Sequence, residues 1–106
     1  MKKLVAVLTI LAFTKASAYT GTWNDPLRPF DATKNYWKEV KIEWIVVDNV
    51  QRECNKESSR MGFAPVGPAT ACAFWSGQTC KIITSKTPTM HELGHEVRHC
   101  FQGHWH

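Results

Sequence analysis

The chain has 106 residues, is 43% hydrophobic, carries a formal net charge of +4, and contains four cysteines and five histidines. That is enough for one small domain with a thin core. The positive charge is not gathered into a basic tract beyond the first residues, so nothing favours a nucleic-acid partner.

The first eighteen residues read as a signal peptide. Lys2 and Lys3 form a positive start, Leu4 to Phe13 is an apolar run broken only by Thr9, and Ala16-Ser17-Ala18 offers small residues for cleavage before Tyr19. The apolar run is short for a permanent transmembrane helix. Cleavage there leaves residues 19–106 as one metal-binding domain, and loss of Lys2, Lys3 and Lys15 lowers the formal charge from +4 to +1. The expected location is the periplasm or the exterior, with no stable membrane span.

Residues 19–34 contain Gly21, Pro26 and Pro29 and read as an irregular lead-in, with Trp23, Leu27 and Phe30 placed to cover the core. A strand is predicted over residues 35–47, where Val40, Ile42, Trp44 and Val46 alternate with Lys41, Glu43 and Ile45. Trp37, Trp44 and Trp75 are assigned to the core. Asp48 or Asn49 can cap a helix over residues 50–57, with Val50 and Cys54 four apart on its inner face. Residues 58–70 hold two glycines and two prolines and read as a loop. Residues 71–75 and 80–85 then form a hairpin about Ser76-Gly77-Gln78-Thr79. Pro88 ends the second strand. Thr89 and Glu92 have the spacing of a capping box for a last helix that ends near Gly103. The order implies an α+β fold: a small single-layer sheet with a hairpin, packed on the C-terminal helix and stapled by disulfides.

The even cysteine count in a short exported chain implies two disulfides. Three connectivities exist. A hairpin pairing Cys72–Cys80 leaves Cys54–Cys100; a competing reading makes Cys100 a metal ligand.

All five histidines lie in HELGHEVRHCFQGHWH, residues 91–106. His-Glu-x-x-His occurs twice, as His91-Glu92…His95 and as His95-Glu96…His99. Residues four apart on a helix share a face, so either pair can hold one zinc ion with the intervening glutamate beside it. His91, His95 and His99 cannot all converge, because eight residues of helix rise about 12 Å. The second frame is favoured. Gly103 lets the chain fold back, so that His106 supplies the third nitrogen and Glu96 acts as general base. His104 is the competing third donor. In the first frame Glu92 would be the base. Arg98 reads as a solvated surface charge, and Trp105 as cover for the helix end.

These motifs resemble the zincin metallopeptidases. His91-Glu92-Leu93-Gly94-His95 is a common spelling of their motif, and His95-Glu96-Val97-Arg98-His99 with Gly103 and His106 is similar to the metzincin extension. In metzincins the glycine and third ligand fall three and six residues after the second histidine; here they fall four and seven after His99. The resemblance implies a zinc-dependent hydrolysis of an amide bond in a peptide or protein, a cell-wall peptide being one option. It also implies a sheet edge beside the helix that receives the substrate, for which residues 80–85 are the candidate. A chain this small would take a protein partner to complete its cleft. The alternative is a non-catalytic periplasmic metal-binding protein, or an interaction domain with structural zinc.

Overall fold

The computed structural model describes residues 29–106; the signal-peptide assignment and Trp23 and Leu27 lie outside that range. The fold is α+β, a three-stranded sheet with one helix on each face. The elements are a 3-10 turn at Ala32–Lys34, β1 (Lys41–Val46), α1 (Val50–Arg60), β2 (Ala71–Ser76), β3 (Thr79–Thr84) and α2 (Met90–Gln102). The strand order is β1-β3-β2, with β1 parallel and β2 antiparallel to β3. β3 is therefore the central strand. This corrects the expectation that residues 80–85 form a free edge: after β1, the chain crosses through α1 before the hairpin, and β3 pairs back onto β1.

Local signals account for most element ends. Asn49 caps α1, its Oδ1 accepting from the Arg52 N–H at 3.0 Å. The helix runs on through Arg60, three residues past the predicted end, because Cys54 and Ser58 continue its buried stripe one turn apart. The loop that follows is held by α1 itself. Gln51 Nε2 donates to the carbonyls of Val66 and Gly67, and Asn55 Oδ1 accepts from the Val66 N–H. In the hairpin Ser76 pairs with Thr79 across Gly77-Gln78, and Gly77 takes the positive φ of 59° that such a two-residue turn uses.

Alternation along β2 and β3 divides the core between the two faces of the sheet. Cys72, Phe74 and Ile83 pack with Cys54 of α1, joined by Ile45 and Val47 from β1 and its exit. Ala73, Cys80 and Ile82 pack with Cys100 of α2, joined by Leu93, Val97 and Phe101 at helical spacing. Each layer has its own disulfide, Cys54–Cys72 tying α1 to β2 and Cys80–Cys100 tying α2 to β3. The pairing expected from the hairpin is thus corrected. Cys80 lies opposite Trp75 and Cys72 opposite Ile83, so the two cysteines sit three rungs apart and face opposite sides of the sheet. Cys100, being in a disulfide, is not a thiolate ligand.

The tryptophan assignments divide. Trp75 is half-buried against the α2 layer, but Trp37 is 38% and Trp44 50% exposed. Ile42, Trp44 and Val46 pair with Cys80, Ile82 and Thr84 and so share the α2 side of the sheet. α2 packs mainly over β2 and β3, so the alternating apolar set of β1 on that side stays largely exposed. Ile45 and Val47, on the other side, are the ones that join a core.

Two disulfides fit an extracellular or periplasmic protein. Among the described residues no helix is long and apolar enough to cross a membrane.

Candidate metal centre

The site is built at the C-terminal end of α2. The helix starts on a complete capping box: Glu92 N–H donates to Thr89 Oγ1 at 2.9 Å, and Glu92 Oε1 accepts from the Thr89 N–H at 2.9 Å. The other oxygen, Glu92 Oε2, accepts from the Thr70 hydroxyl at 2.6 Å. Both carboxylate oxygens are engaged at the helix start, which leaves Glu92 a capping residue.

One turn further on, His95 and His99 lie on a buried stripe, 7% and 0% exposed. His99 is fixed from two sides. Trp75 of β2 stacks on its ring at 5.4 Å with the planes 8° apart. Its Nδ1 lies 2.7 Å from the Gly103 carbonyl, so Nδ1–H donates there and Nε2 carries the lone pair.

Gly103 is the hinge that brings the tail back. Its N–H donates to the His99 carbonyl at 2.8 Å, closing the helix, and its φ of 64° with ψ of −135° is a glycine conformation. The Trp105 N–H then donates to the Gly103 carbonyl at 3.0 Å, a three-residue turn about His104. Tyr36 packs under the hinge, 3.4 Å from where a Cβ on Gly103 would be.

The tail so turned places His106 Nε2 at 3.1 Å from His99 Nε2 and 3.1 Å from His95 Nε2. Ligand nitrogens of the three residues all lie within 4.8 Å of one another. Nitrogens bound tetrahedrally at 2.0–2.1 Å would sit about 3.3 Å apart, so the spacing suits one ion. His106 Nε2 can carry one proton at most and so can bridge to one neighbour, whereas a cation among the three rings satisfies all of them. Burial, and then the neighbouring histidines, push His95 and His99 well below the usual imidazole range. His106 is exposed on its outer side, but desolvation of the ring where it meets the other two is the main cause that lowers it to about 4. Neutral imidazoles are the form that binds metal. His91 is not part of this group, and His104 turns away to meet the edge of Trp75 at 5.0 Å.

Glu96 is fully buried, and neither carboxylate oxygen has a hydrogen-bond partner. Burial, with a smaller contribution from the Glu92 charge, raises it well above the usual carboxylate range. A divalent cation close by would draw it back toward ionisation.

Two residues depart from their sequence reading. Arg98 is half-buried rather than solvated. Its guanidinium lies 3.9 Å over the Trp105 ring and 5.6 Å over Phe30, and its Nε donates to Gln102 Oε1 at 2.9 Å. Gln102 in turn donates from Nε2 to the Asp31 carbonyl and to Asn35 Oδ1. This chain of contacts ties residues 30–35 to the end of α2; the signal for it was Arg98 and Gln102 one helical turn apart. Trp105 does cover the helix end, and it also meets all three imidazoles, at 4.9 Å from His95, 5.4 Å from His99 and 4.5 Å from His106.

The class defined by fold and site is thus a small disulfide-stapled α+β domain with three converging histidines able to hold a metal ion. Compared with protein-family models, curated proteins and solved structures, the chain gives no significant match.

Proposed function

We propose that this protein is an exported zinc-dependent metallopeptidase whose metal ligands are His95, His99 and His106. The observation that carries the reading is the convergence of these three nitrogens, with a buried, unpartnered Glu96 next in sequence to His95. Three protein ligands, with a fourth place left for solvent or substrate, is the donor count of catalytic zinc; structural zinc usually has four. An all-imidazole donor set also suits copper and nickel, so zinc is favoured by the His-Glu-x-x-His pattern rather than by the donors alone.

A zinc ion held here supplies a Lewis acid that acidifies water and polarises an amide carbonyl. The work of the chain follows from its own residues. His99 is locked in one tautomer by Gly103, and Trp75 holds its ring plane. Glu96 takes one proton from the attacking water and passes it to the nitrogen of the leaving amine. A divalent cation nearby would hold its carboxylate ionised and so able to accept that proton. An extended substrate would pair with an open sheet edge, and β2, which packs directly against α2, is the favoured one. The substrate is a peptide or protein; a cell-wall peptide fits the expected compartment.

The burial of His95 and His99 favours a second reading, a non-catalytic metal site that closes the C-terminal end of a small domain. Metal analysis and peptide hydrolysis of mature protein separate the two. The enzyme reading expects one zinc per chain in wild type, Glu96→Gln and Glu92→Gln, with hydrolysis lost only in Glu96→Gln. Hydrolysis lost instead in Glu92→Gln would move the base to the first frame. Zinc binding without hydrolysis in any form would leave the non-catalytic reading.

A further inference from the structure

Among the described residues, three buried side-chain polar atoms lack a hydrogen-bond partner: both carboxylate oxygens of Glu96, and Nε1 of Trp105. All three belong to residues that neighbour the candidate ligands in sequence. Glu96 directly follows the first ligand, and Trp105 directly precedes the last. A buried polar group without a partner costs roughly 1–3 kcal/mol, so such groups are rarely kept without use. Indole N–H can only donate and carboxylate oxygen can only accept, yet these two do not pair with each other. They fit a ligand that offers hydrogen to one and a lone pair to the other.

We propose that the indole N–H of Trp105 is the donor that binds the carbonyl oxygen of the scissile amide as that oxygen gains negative charge. The proposal rests on the hydrolase reading for its substrate and on the geometry for its donor. The Trp105 ring packs within 5.4 Å of each ligand ring, centroid to centroid, and its N–H is buried with no acceptor of its own. The turn about His104 fixes the backbone of Trp105, so little reorganisation accompanies the donation. The Arg98 guanidinium, 3.9 Å over the indole face, draws π density toward itself and leaves the N–H more positive. Arg98 itself is committed to that ring and to Gln102, which makes it a positioning residue behind the donor. Glu96 and Trp105 then divide the polar work, one accepting the proton of water and the other stabilising charge on the carbonyl oxygen.

The test uses zinc-loaded mature protein, wild type and Trp105→Phe, with acetohydroxamate as a zinc-seeking anion that carries a carbonyl oxygen. Phenylalanine keeps an aromatic ring over the ligands and removes the N–H. The indole resonance of Trp105 is identified by its loss from the proton–nitrogen spectrum of the variant. The proposal expects equal zinc content in both proteins and a downfield shift of that resonance on adding acetohydroxamate. It also expects affinity for acetohydroxamate to fall about 10- to 100-fold in the variant, the range of a hydrogen bond to a charged group. Against peptide, kcat falls with KM little changed. Equal acetohydroxamate affinity in the two proteins overturns the proposal, as does loss of zinc in the variant, which would make the ring mere packing for the ligands. If the variant does not fold, the wild-type indole resonances decide: with none moving downfield on acetohydroxamate, the donor is refuted. If wild type hydrolyses no peptide but the affinity difference and the shift are found, the hydrolase reading fails and the donor assignment stands.

Discussion

Replacing Gly103 with alanine tests how the third ligand is delivered. Gly103 has φ 64° and ψ −135°, a region that side-chain-bearing residues enter at a cost of about 1–3 kcal/mol. A new Cβ would also meet Tyr36 Cε2 at 3.4 Å, so little room exists to ease the strain by shifting toward the body. The strain can be relieved globally, by unfolding, or locally, by letting residues 103–106 swing out. The local route is cheaper, because the Cys80–Cys100 disulfide and the Leu93, Val97 and Phe101 packing hold α2 without the tail. The penalty should therefore appear in metal binding, which needs His106 in place. At 1.36 kcal/mol per tenfold, 1–3 kcal/mol corresponds to a zinc affinity weakened about 5- to 150-fold. Competition with a chromophoric chelator reads this directly. Melting in EDTA should change little, since the metal-free tail is free to relax. Gly77→Ala is the control: it too has positive φ, 59°, but it lies in the hairpin turn with open space around it. It should lower stability without altering zinc affinity. Unchanged zinc affinity in Gly103→Ala would refute the hinge argument.

Other consequences can be measured as simply. Non-reducing peptide mapping should yield Cys54–Cys72 and Cys80–Cys100; a Cys72–Cys80 peptide would contradict the sheet register. Removing either bridge by double alanine substitution should cost about 2–5 kcal/mol, but only loss of Cys80–Cys100, adjacent to His99, should also weaken metal binding. Thr89→Ala removes the cap of α2 and should cost about 1 kcal/mol, lowering the melting temperature by about 4–8 °C with zinc content unchanged. Glu57 is held below the usual carboxylate range by its hydrogen bond to Arg60, helped by Lys81. A folded-state value below the unfolded one means stability that is complete above about 4.5 and is lost as the pH falls through the lowered value. Denaturant titrations of Glu57→Gln should show a shallower loss between pH 5 and pH 3 than wild type; an identical slope would assign the acid sensitivity elsewhere.

What could be read from the sequence was what local chemistry decides. The capping box of Thr89 and Glu92, the Asn49 cap and the Gly77 turn each depend on residues within one turn of chain. The convergence of the three histidines was legible for the same reason: His95, His99, Gly103 and His106 span twelve residues, and the helical period plus one glycine hinge brings the rings together. Features decided between distant segments were not. The face on which β1 is covered depends on how far α2 reaches across the sheet, and nothing in KIEWIV records that. The disulfides follow from register parity in the hairpin, which sequence proximity of Cys72 and Cys80 obscured. The stacking of Trp75 on His99 and the packing of Tyr36 under Gly103 join a strand and a loop to the end of a helix far along the chain. Arg98 reads as a solvated charge from its own place on the helix, because Phe30 and Trp105 reach it from segments that only tertiary packing brings there.

Metal binding should also govern the stability of the domain, for a reason visible in its buried residues. The packing under the last turns of α2 is unusually polar: His95, Glu96, His99 and Gln102 are all buried there. Gln102 is satisfied by Asp31 and Asn35, but the three imidazole nitrogens meet each other, and the Glu96 oxygens meet nothing. A hydrophobic set of the same volume would stabilise so small a domain better, which points to an arrangement kept for a bound cation. An ion that binds only the folded form adds RT ln(1 + [L]/Kd), about 2.7 kcal/mol at a hundredfold excess over Kd. For a domain of this size that is a rise of roughly 10–20 °C in melting temperature. The expected result is a melting temperature that climbs with zinc and falls back in EDTA, with the dependence much reduced in His106→Ala. The variant removes one ligand but leaves both helices and both disulfides in place, so its metal-free melting should stay close to that of wild type. A wild-type melting temperature indifferent to zinc would mean that the three rings do not grip an ion in the folded state, and that the buried polar cluster is held together by hydrogen bonds among the imidazoles alone.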